Sequence, residues 1–404
     1  MKRYVIVGAS FRCYSMFVKR LKQQFPDEVQ LTGVYDINPV RSRAFREIVG
    51  PHMTVYADFE TMLDTERPDA VIVATADHVH HEYIVRALDR GYDVICEKPV
   101  TNTFERCLAI RQAEKRTGHS VTVTFNCRFM PYFARIKQLM LEDKIGKVHA
   151  VNYQYCLDRS HGADYFKRWH RKMEYSQGML LHKSTHHFDV VNWLLNDEPA
   201  RVTALGAQSY YADPEKSMGE RCTRCAGADR CSSAKLQCGE MNQILYYNAE
   251  GEDGYIRDTC CFLPDADIQD NLSVSVQYQK GALLTYSLNL FSMREGYSLT
   301  ITGEKGVILA SGWSDETADK KVIRVLYDDG RVETVEVDSI REGHGGGDER
   351  LINMVFGPEQ PDPLYQCADS YAGVVSAMVG IAANRSIAEG RTVELADELE
   401  QLRG

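Results

Sequence analysis

The chain has 404 residues, 44% hydrophobic and 26% charged, with a formal net charge of −10, and at roughly 100–200 residues per domain that implies two or three domains. No apolar stretch approaches the ~18–20 residues of a membrane span, and the start Met-Lys-Arg-Tyr-Val-Ile-Val-Gly carries no signal-peptide pattern, so the expected location is the cytoplasm. The acidic balance and the lack of a long basic run argue against nucleic acid as a partner, since phosphate binding rests mostly on Lys and Arg.

Tyr4-Val-Ile-Val7 predicts a buried strand ending at Gly8, followed by a helix over 14–24 and a second strand over 30–35 that ends at Asp36. A helix over 39–49, a short strand over 54–56 and a helix over 58–65 come next. The continuous apolar run 70–74 suits a strand buried on both faces; helix 80–90, strand 93–96, helix 103–117 and strand 120–124 complete the alternation. Such a pattern predicts a doubly wound parallel sheet with right-handed crossovers.

After about residue 125 the apolar period shortens to two, over 148–156, 201–210, 271–279, 282–291, 297–302, 306–310, 322–327 and 331–337. Gln279-Lys-Gly281 and Asp328-Asp-Gly330 are hairpin signals. The expectation is an α+β domain on a large open, mostly antiparallel sheet, with helices at about 131–143, 183–195 and 364–389 on one side. The polar, cysteine-rich stretch 213–258 is expected to be an insertion.

Gly8-Ala-Ser10-Phe11-Arg12-Cys13 stands where a dinucleotide-binding glycine turn belongs, since small residues there let the backbone approach a pyrophosphate at a helix N-terminus. Ser10 and Cys13 replace the second and third glycines of G-x-G-x-x-G. Asp36, 28 residues past Gly8, can accept hydrogen bonds from a ribose and would repel a 2′-phosphate, which favours NAD over NADP; Arg41 nearby leaves that choice open. Glu97-Lys98-Pro99 follows a buried strand, at the end of a parallel sheet that faces the ligand crevice.

Together with Val73-Ala-Thr75, His80, Asn126-Cys-Arg128-Phe, Lys144-Ile-Gly146 and Gly178-Met-Leu-Leu-His182-Lys-Ser-Thr-His186-His-Phe-Asp189, these residues resemble the glucose–fructose oxidoreductase / inositol dehydrogenase / rhizopine-catabolism (Gfo/Idh/MocA) family. The resemblance implies an NAD(P)-binding Rossmann domain over 1–125 and a substrate and oligomerisation domain over 126–404, whose open sheet would join copies into a homo-dimer or homo-tetramer. Candidate cofactor-binding residues are Gly8, Ser10, Phe11, Arg12, Asp36, Thr75, His80, Glu97, Lys98 and Arg128.

Resemblance also assigns Lys98 as the catalytic lysine, His186 as the catalytic histidine and Asp189 as the final acid, while His182 stands where the family usually carries an aspartate. Oxidising a secondary alcohol needs a base for the hydroxyl proton, a role within the pKa range of His186. Lys98 as an ammonium would stabilise a developing alkoxide. On one helix His182, His186 and Asp189 (offsets 0, 4 and 7) would share a face, so a proton relay or a divalent metal held by His182, His186 and an acid are both open. Candidate substrate contacts are Lys98, Arg128, Tyr155, Arg168, Trp169, His170, His186, His187 and His344, the last in the glycine loop His344-Gly-Gly-Gly-Asp348.

Cys222-x2-Cys225-x5-Cys231-x6-Cys238 sets four thiolates close enough to converge on one tetrahedral ion. A structural zinc pinning the insertion, an iron–sulfur cluster, and unligated thiols or a labile disulfide are the three readings. For function, the leading expectation is NAD-dependent oxidation of a secondary hydroxyl on a sugar, cyclitol or glycoside. The alternatives are redox-neutral glycoside cleavage through a 3-keto intermediate and non-catalytic sensing of a sugar or cofactor.

Overall fold

The apolar run of β1 (Lys2–Val7) has Val5, Ile6 and Val7 fully buried, because helices cover both of its faces. In the computed structural model, which describes residues 1–234, 239–340 and 343–403, β1 is joined by β2 (Val29–Tyr35), β3 (Thr54–Tyr56), β4 (Ala70–Val73), β5 (Asp93–Cys96) and β6 (Val121–Val123). The order is β6-β5-β4-β1-β2-β3 and every pairing is parallel. This is the predicted doubly wound sheet, and its order reverses between β1 and β4, where ligands settle in such folds.

Caps fix where the crossover helices begin. Asn38 accepts from the amides of Val40 and Arg41 with Pro39 in the first helical position, Asp58 caps Phe59–Glu66, and Thr103 caps Phe104–Thr117; each such cap stabilises by about 1 kcal/mol. The first helix starts earlier than expected, at Phe11 under a Ser10 cap, and runs through a π-helical turn at Tyr14–Val18.

The second sheet contains β7 (Val148–Asp158), β8 (Pro199–Ala207), β9 (Asn271–Tyr278), β10 (Leu283–Ser292), β11 (Gly296–Gly303), β12 (Gly306–Trp313), β13 (Lys320–Tyr327) and β14 (Val332–Asp338). Its order is β14-β13-β12-β11-β7-β10-β9-β8, antiparallel except for the central β7–β10 pair. Leu272, Val274, Val276 and Tyr278 face inward while Asn271, Ser273, Ser275 and Gln277 are exposed, the alternation expected of a sheet covered on one side. The short β15 (Ala368–Asp369) adds an antiparallel edge to the first sheet beside β6, and β16 (Val393–Glu394) pairs with β8.

Between β15 and β16 runs the helix Ser370–Glu389, capped by Asp369 and packed on β8 and on the helix Thr185–Leu195. It begins six residues later than the expected start at 364 because β15 claims the preceding chain. Gly380 lets it lie close to the short helix Gly178–His182, since a Cβ there would sit 2.6 Å from the Leu180 oxygen. The helix Arg159–Lys167 was not anticipated from the sequence, nor was the helical turn structure of Gly343–Phe356, although His344, Gly345 and Gly346 within it are non-helical, as the expected glycine loop requires.

Candidate functional site

Two adjoining cavities open at the carboxyl ends of β1, β4 and β5. One, of about 410 Å³, is lined by Gly8, Asp36, Arg41, Thr75, His78 and Tyr175; the other, of about 360 Å³, by Arg12, Asp77, Lys98, His182, Lys183 and His186. Ser10, Thr75, Trp169, Tyr246 and Arg257 border both, so one elongated ligand can occupy the pair.

The first cavity has the shape of a nucleotide cradle. Gly8 takes φ +94, and a Cβ there would lie 2.7 Å from the Ala74 carbonyl carbon and oxygen, so only glycine lets the turn approach β4. Ser10 Oγ donates to the Ala74 oxygen at 3.1 Å and accepts from the Cys13 amide at 3.1 Å. Asp36, ending β2, accepts from the Ala9 amide at 2.7 Å, the Asn38 amide at 2.8 Å and Arg41 Nε at 3.2 Å. The glycine turn, the following helix N-terminus and this carboxylate suit a dinucleotide.

The cysteine-rich insertion supplies the far wall. Tyr246 Oη accepts from the Phe11 amide at 2.9 Å, Asn38 Nδ2 donates to the Ala249 oxygen at 3.0 Å, and Arg41 pairs with Asp253. Arg257 lies 4.4 Å above the Tyr246 ring. Tyr246, Asp253, Tyr255 and Arg257 therefore border the cofactor cavity, a role that no local spacing in the sequence announces.

In the second cavity Lys98 Nζ donates to the His182 backbone oxygen at 3.0 Å. Burial, reinforced by the charges of Lys183 and Arg12, pushes its pKa down to about 8 despite Asp77 and Glu97. His182 Nδ1 lies 2.5 Å from the Asp77 carboxylate, and its ring is boxed in by His170 at 4.2 Å, Tyr165 at 5.6 Å and Trp169 at 5.7 Å. Burial raises the Asp77 carboxyl to about 6. Burial first, then the charge of Lys98, drives the His182 imidazole well below its ordinary value.

His186 lines the same cavity, 6.1 Å from the His344 ring, with its Nδ1 buried and without a hydrogen-bond partner among the described residues. Burial and the charges of Lys98 and Lys183 hold it neutral, well below the usual histidine range. His344 is braced by Asp348, 3.1 Å from its Nδ1. Burial alone would raise Asp348, but Arg12 and the His344 hydrogen bond hold it well below the carboxylate range. Arg12 also pairs with Glu97 at 2.9 Å, so Glu97 acts on the site through Arg12.

Several expected roles do not fit. His182 ends the helix Gly178–His182, and His186 belongs to the next helix, Thr185–Leu195, so the two do not share one helical face as the spacing implied. No three His, Cys, Asp or Glu side chains converge as metal ligands among the described residues, which leaves the His182–His186 metal reading without support. Arg128 forms a two-point pair with Asp189 at 2.6 and 2.8 Å and borders a different groove, away from both cavities. Its charge is spent within the core, so neither the cofactor nor the substrate role fits it.

His187 points into the second sheet, with Nδ1 2.7 Å from Tyr286 Oη and its ring stacked on Tyr155 at 4.2 Å. Neither His187 nor Tyr155 borders the cavities; both support its floor. His80 is a brace too, its ring nitrogens 2.9 Å from the Pro99 oxygen and 3.1 Å from the Thr75 oxygen. Arg168, paired with Asp164 at 2.6 Å, and the stacked Trp169 and His170 do line the second cavity as expected.

Cys222, Cys225 and Cys231 border a small void together with Cys260 and Cys261, whereas Cys238 lies outside the described residues. Among the described residues these thiols do not form a metal-ligand group, so nothing supports the zinc expectation. Asp77 and Lys183 are site residues that the sequence reading missed. Asp77 had a usable signal, since it lies just past a buried parallel strand, where ligand-facing side chains gather.

The fold and the paired cavities define a two-part oxidoreductase with a Rossmann-type nucleotide-binding half. The chain belongs to the Gfo/Idh/MocA oxidoreductase family: the model described as "Oxidoreductase family, NAD-binding Rossmann fold" matches residues 2–125 and that described as "Oxidoreductase family, C-terminal alpha/beta domain" matches residues 137–395. The oxidoreductase YteT of Bacillus subtilis (strain 168) is 35% identical over 97% of each chain. An inositol 2-dehydrogenase/D-chiro-inositol 3-dehydrogenase of Shouchella clausii is 30% identical over 44% of this chain and 48% of its own. The WlbA dehydrogenase of Chromobacterium violaceum, solved with NADH and UDP-GlcNAcA, shares the fold at TM-score 0.68 and 20% identity, covering 98% of this chain and 96% of its own. No described helix is long and apolar enough to cross a membrane.

Proposed function

We propose that this chain is an NAD-dependent dehydrogenase that oxidises a secondary hydroxyl of a sugar, cyclitol or glycoside, with residues 1–125 holding the cofactor and 126–404 the substrate. The observation that carries the reading is the convergence of the Lys98 ammonium with the Asp77–His182 pair beside the nucleotide cradle. NAD, when bound, supplies the hydride acceptor. The protein's own part is proton handling: His182, oriented through Nδ1 by Asp77, takes the hydroxyl proton at Nε2, and Lys98 stabilises the oxygen as negative charge grows. His186 has no partner at Nδ1 to stabilise an imidazolium, so it suits a hydrogen-bonding role toward the sugar.

NAD is favoured over NADP because Arg41 is already shared between Asp36 and Asp253, and a 2′-phosphate would meet two carboxylates. In this reading the enzyme works in the cytoplasm as a homo-dimer or homo-tetramer joined through the exposed face of the second sheet, a state that size-exclusion chromatography with light scattering reads directly.

The test is NADH formation across inositols, hexoses, uronic acids and glycosides, with Lys98→Met as control. Turnover of one class that is lost in the variant supports the proposal; turnover unchanged in Lys98→Met defeats it. A second reading draws on the two neutral imidazoles, His182 and His186, on one cavity. With bound NAD accepting the hydride and later returning it, one imidazole would take the hydroxyl proton and the other the C–H proton beside the ketone so formed; the aglycone would leave, and water would add across the resulting double bond. Aglycone release without NADH accumulation marks that outcome.

A further inference from the structure

Three lysines are buried among the described residues: Lys137, Lys167 and Lys183. The Lys137 ammonium donates to the Trp193 and Leu194 oxygens and the Lys167 ammonium to the Ser233 oxygen. Lys183 is 9% exposed and borders the second cavity, yet it has no hydrogen-bond acceptor and no ion pair among the described residues. Its Nζ lies 5.3 Å from the centroid of the Tyr155 ring. Glu295 acts on Lys183 electrostatically but forms no ion pair with it, being engaged at 3.0 Å by His161.

A buried ammonium facing a cavity without a counter-charge is unfavourable unless something else supplies that charge. The rest of the lining does not. Arg12, Lys98, Arg168, Lys183 and Arg257 border the cavity against the carboxylates Asp77 and Glu97; Glu97 answers Arg12, Asp164 answers Arg168, and Asp77, whose partner His182 is neutral, is the carboxylate that acts on Lys98. Among the described residues Lys183 forms no ion pair, and no carboxylate of the lining answers it.

We propose that the substrate is anionic, a sugar acid or an acidic glycoside, and that Lys183 binds its carboxylate while Lys98 meets the hydroxyl to be oxidised. The proposal rests on the dehydrogenase reading only for the role of Lys98. The anion site itself stands on the cavity and on Lys183. Because Lys183 lies on the turn between the helices Gly178–His182 and Thr185–Leu195, three residues before His186, a carboxylate held there keeps the sugar ring between the lysine and histidine groups.

The test compares galacturonate with galactose and glucuronate with glucose, pairs that differ only in the carboxylate at C6. Binding is measured calorimetrically on the full chain with NADH present to block turnover. We expect each acid to bind at least about tenfold more tightly than its neutral partner. That preference should collapse in Lys183→Gln and survive in Lys183→Arg. Equal affinities, failure of both acids to bind, or a preference retained in Lys183→Gln would overturn the proposal.

Thermal unfolding guards against a misfolded variant. The midpoint of Lys183→Gln in the absence of ligand should stay within about 2 degrees of the unaltered chain; a larger fall, with binding of the neutral sugars lost as well, would show a structural role and overturn the proposal. Acids that bind with the expected preference and yet produce no NADH would sink the dehydrogenase reading alone and leave the anion site standing.

Discussion

At the level of single residues, His182 has an orienting carboxylate and His186 has none among the described residues, which is why the proposed proton path runs through Asp77–His182. This reverses the emphasis of the sequence, which assigned the base to His186 and left His182 as a departure at the family's aspartate position. Replacing Asp77 with Asn keeps the shape and removes the charge that would stabilise the imidazolium. We expect kcat to fall by about 10²–10⁴-fold with KM little changed, and His186→Gln to act mainly through KM; the reverse pattern in initial-rate measurements would return the base to His186. The same groups set the pH profile. Lys98 works as the ammonium, which is lost as pH rises through about 8, and Asp77 works as the carboxylate, which is lost as pH falls through about 6. The expected profile of kcat/KM is a bell with limbs near these values, and Asp77→Asn should erase its acid limb.

The secondary-structure elements show which signals were local. Every strand of the first sheet except β15 was legible, because continuous apolar runs between capped helices can be buried only one way. The period-two strands of the second sheet were legible for the same reason, inward and outward faces being written into alternate residues. What escaped were elements defined by tertiary partners. The break between Gly178–His182 and Thr185–Leu195 has no proline or glycine to announce it, and it is what lets the Lys183 side chain enter the cavity. The insertion looked like a possible metal knuckle, but its contribution to the site, Tyr246, acts at long range on Phe11, which local spacing does not show. Gly8 offers the sharpest test at this scale. Gly8→Ala would force the turn off β4, and we expect the NAD dissociation constant to rise more than about tenfold, read by titration of NADH fluorescence, while far-ultraviolet circular dichroism stays near wild type.

Across the whole molecule, the cofactor site is closed by parts of the chain more than two hundred residues apart. Phe11 meets Tyr246, Asn38 meets Ala249, and Arg41 bridges Asp36 and Asp253. The insertion and the first sheet therefore gain from a bound dinucleotide together, and its binding free energy adds to the stability of the folded chain. At a cofactor concentration one hundred times the dissociation constant that gain is about 2.7 kcal/mol, enough to raise the unfolding midpoint by a few degrees. NAD should give this shift in a thermal scan. NADP at the same concentration should give much less, since its 2′-phosphate would approach Asp36 and Asp253. Replacing Asp36 with Ala removes one of those carboxylates and frees Arg41 to meet the phosphate, so the NADP shift should grow toward that of NAD. Equal shifts from both cofactors in the unaltered chain would mean that Arg41, rather than the two carboxylates, governs the adenosine end.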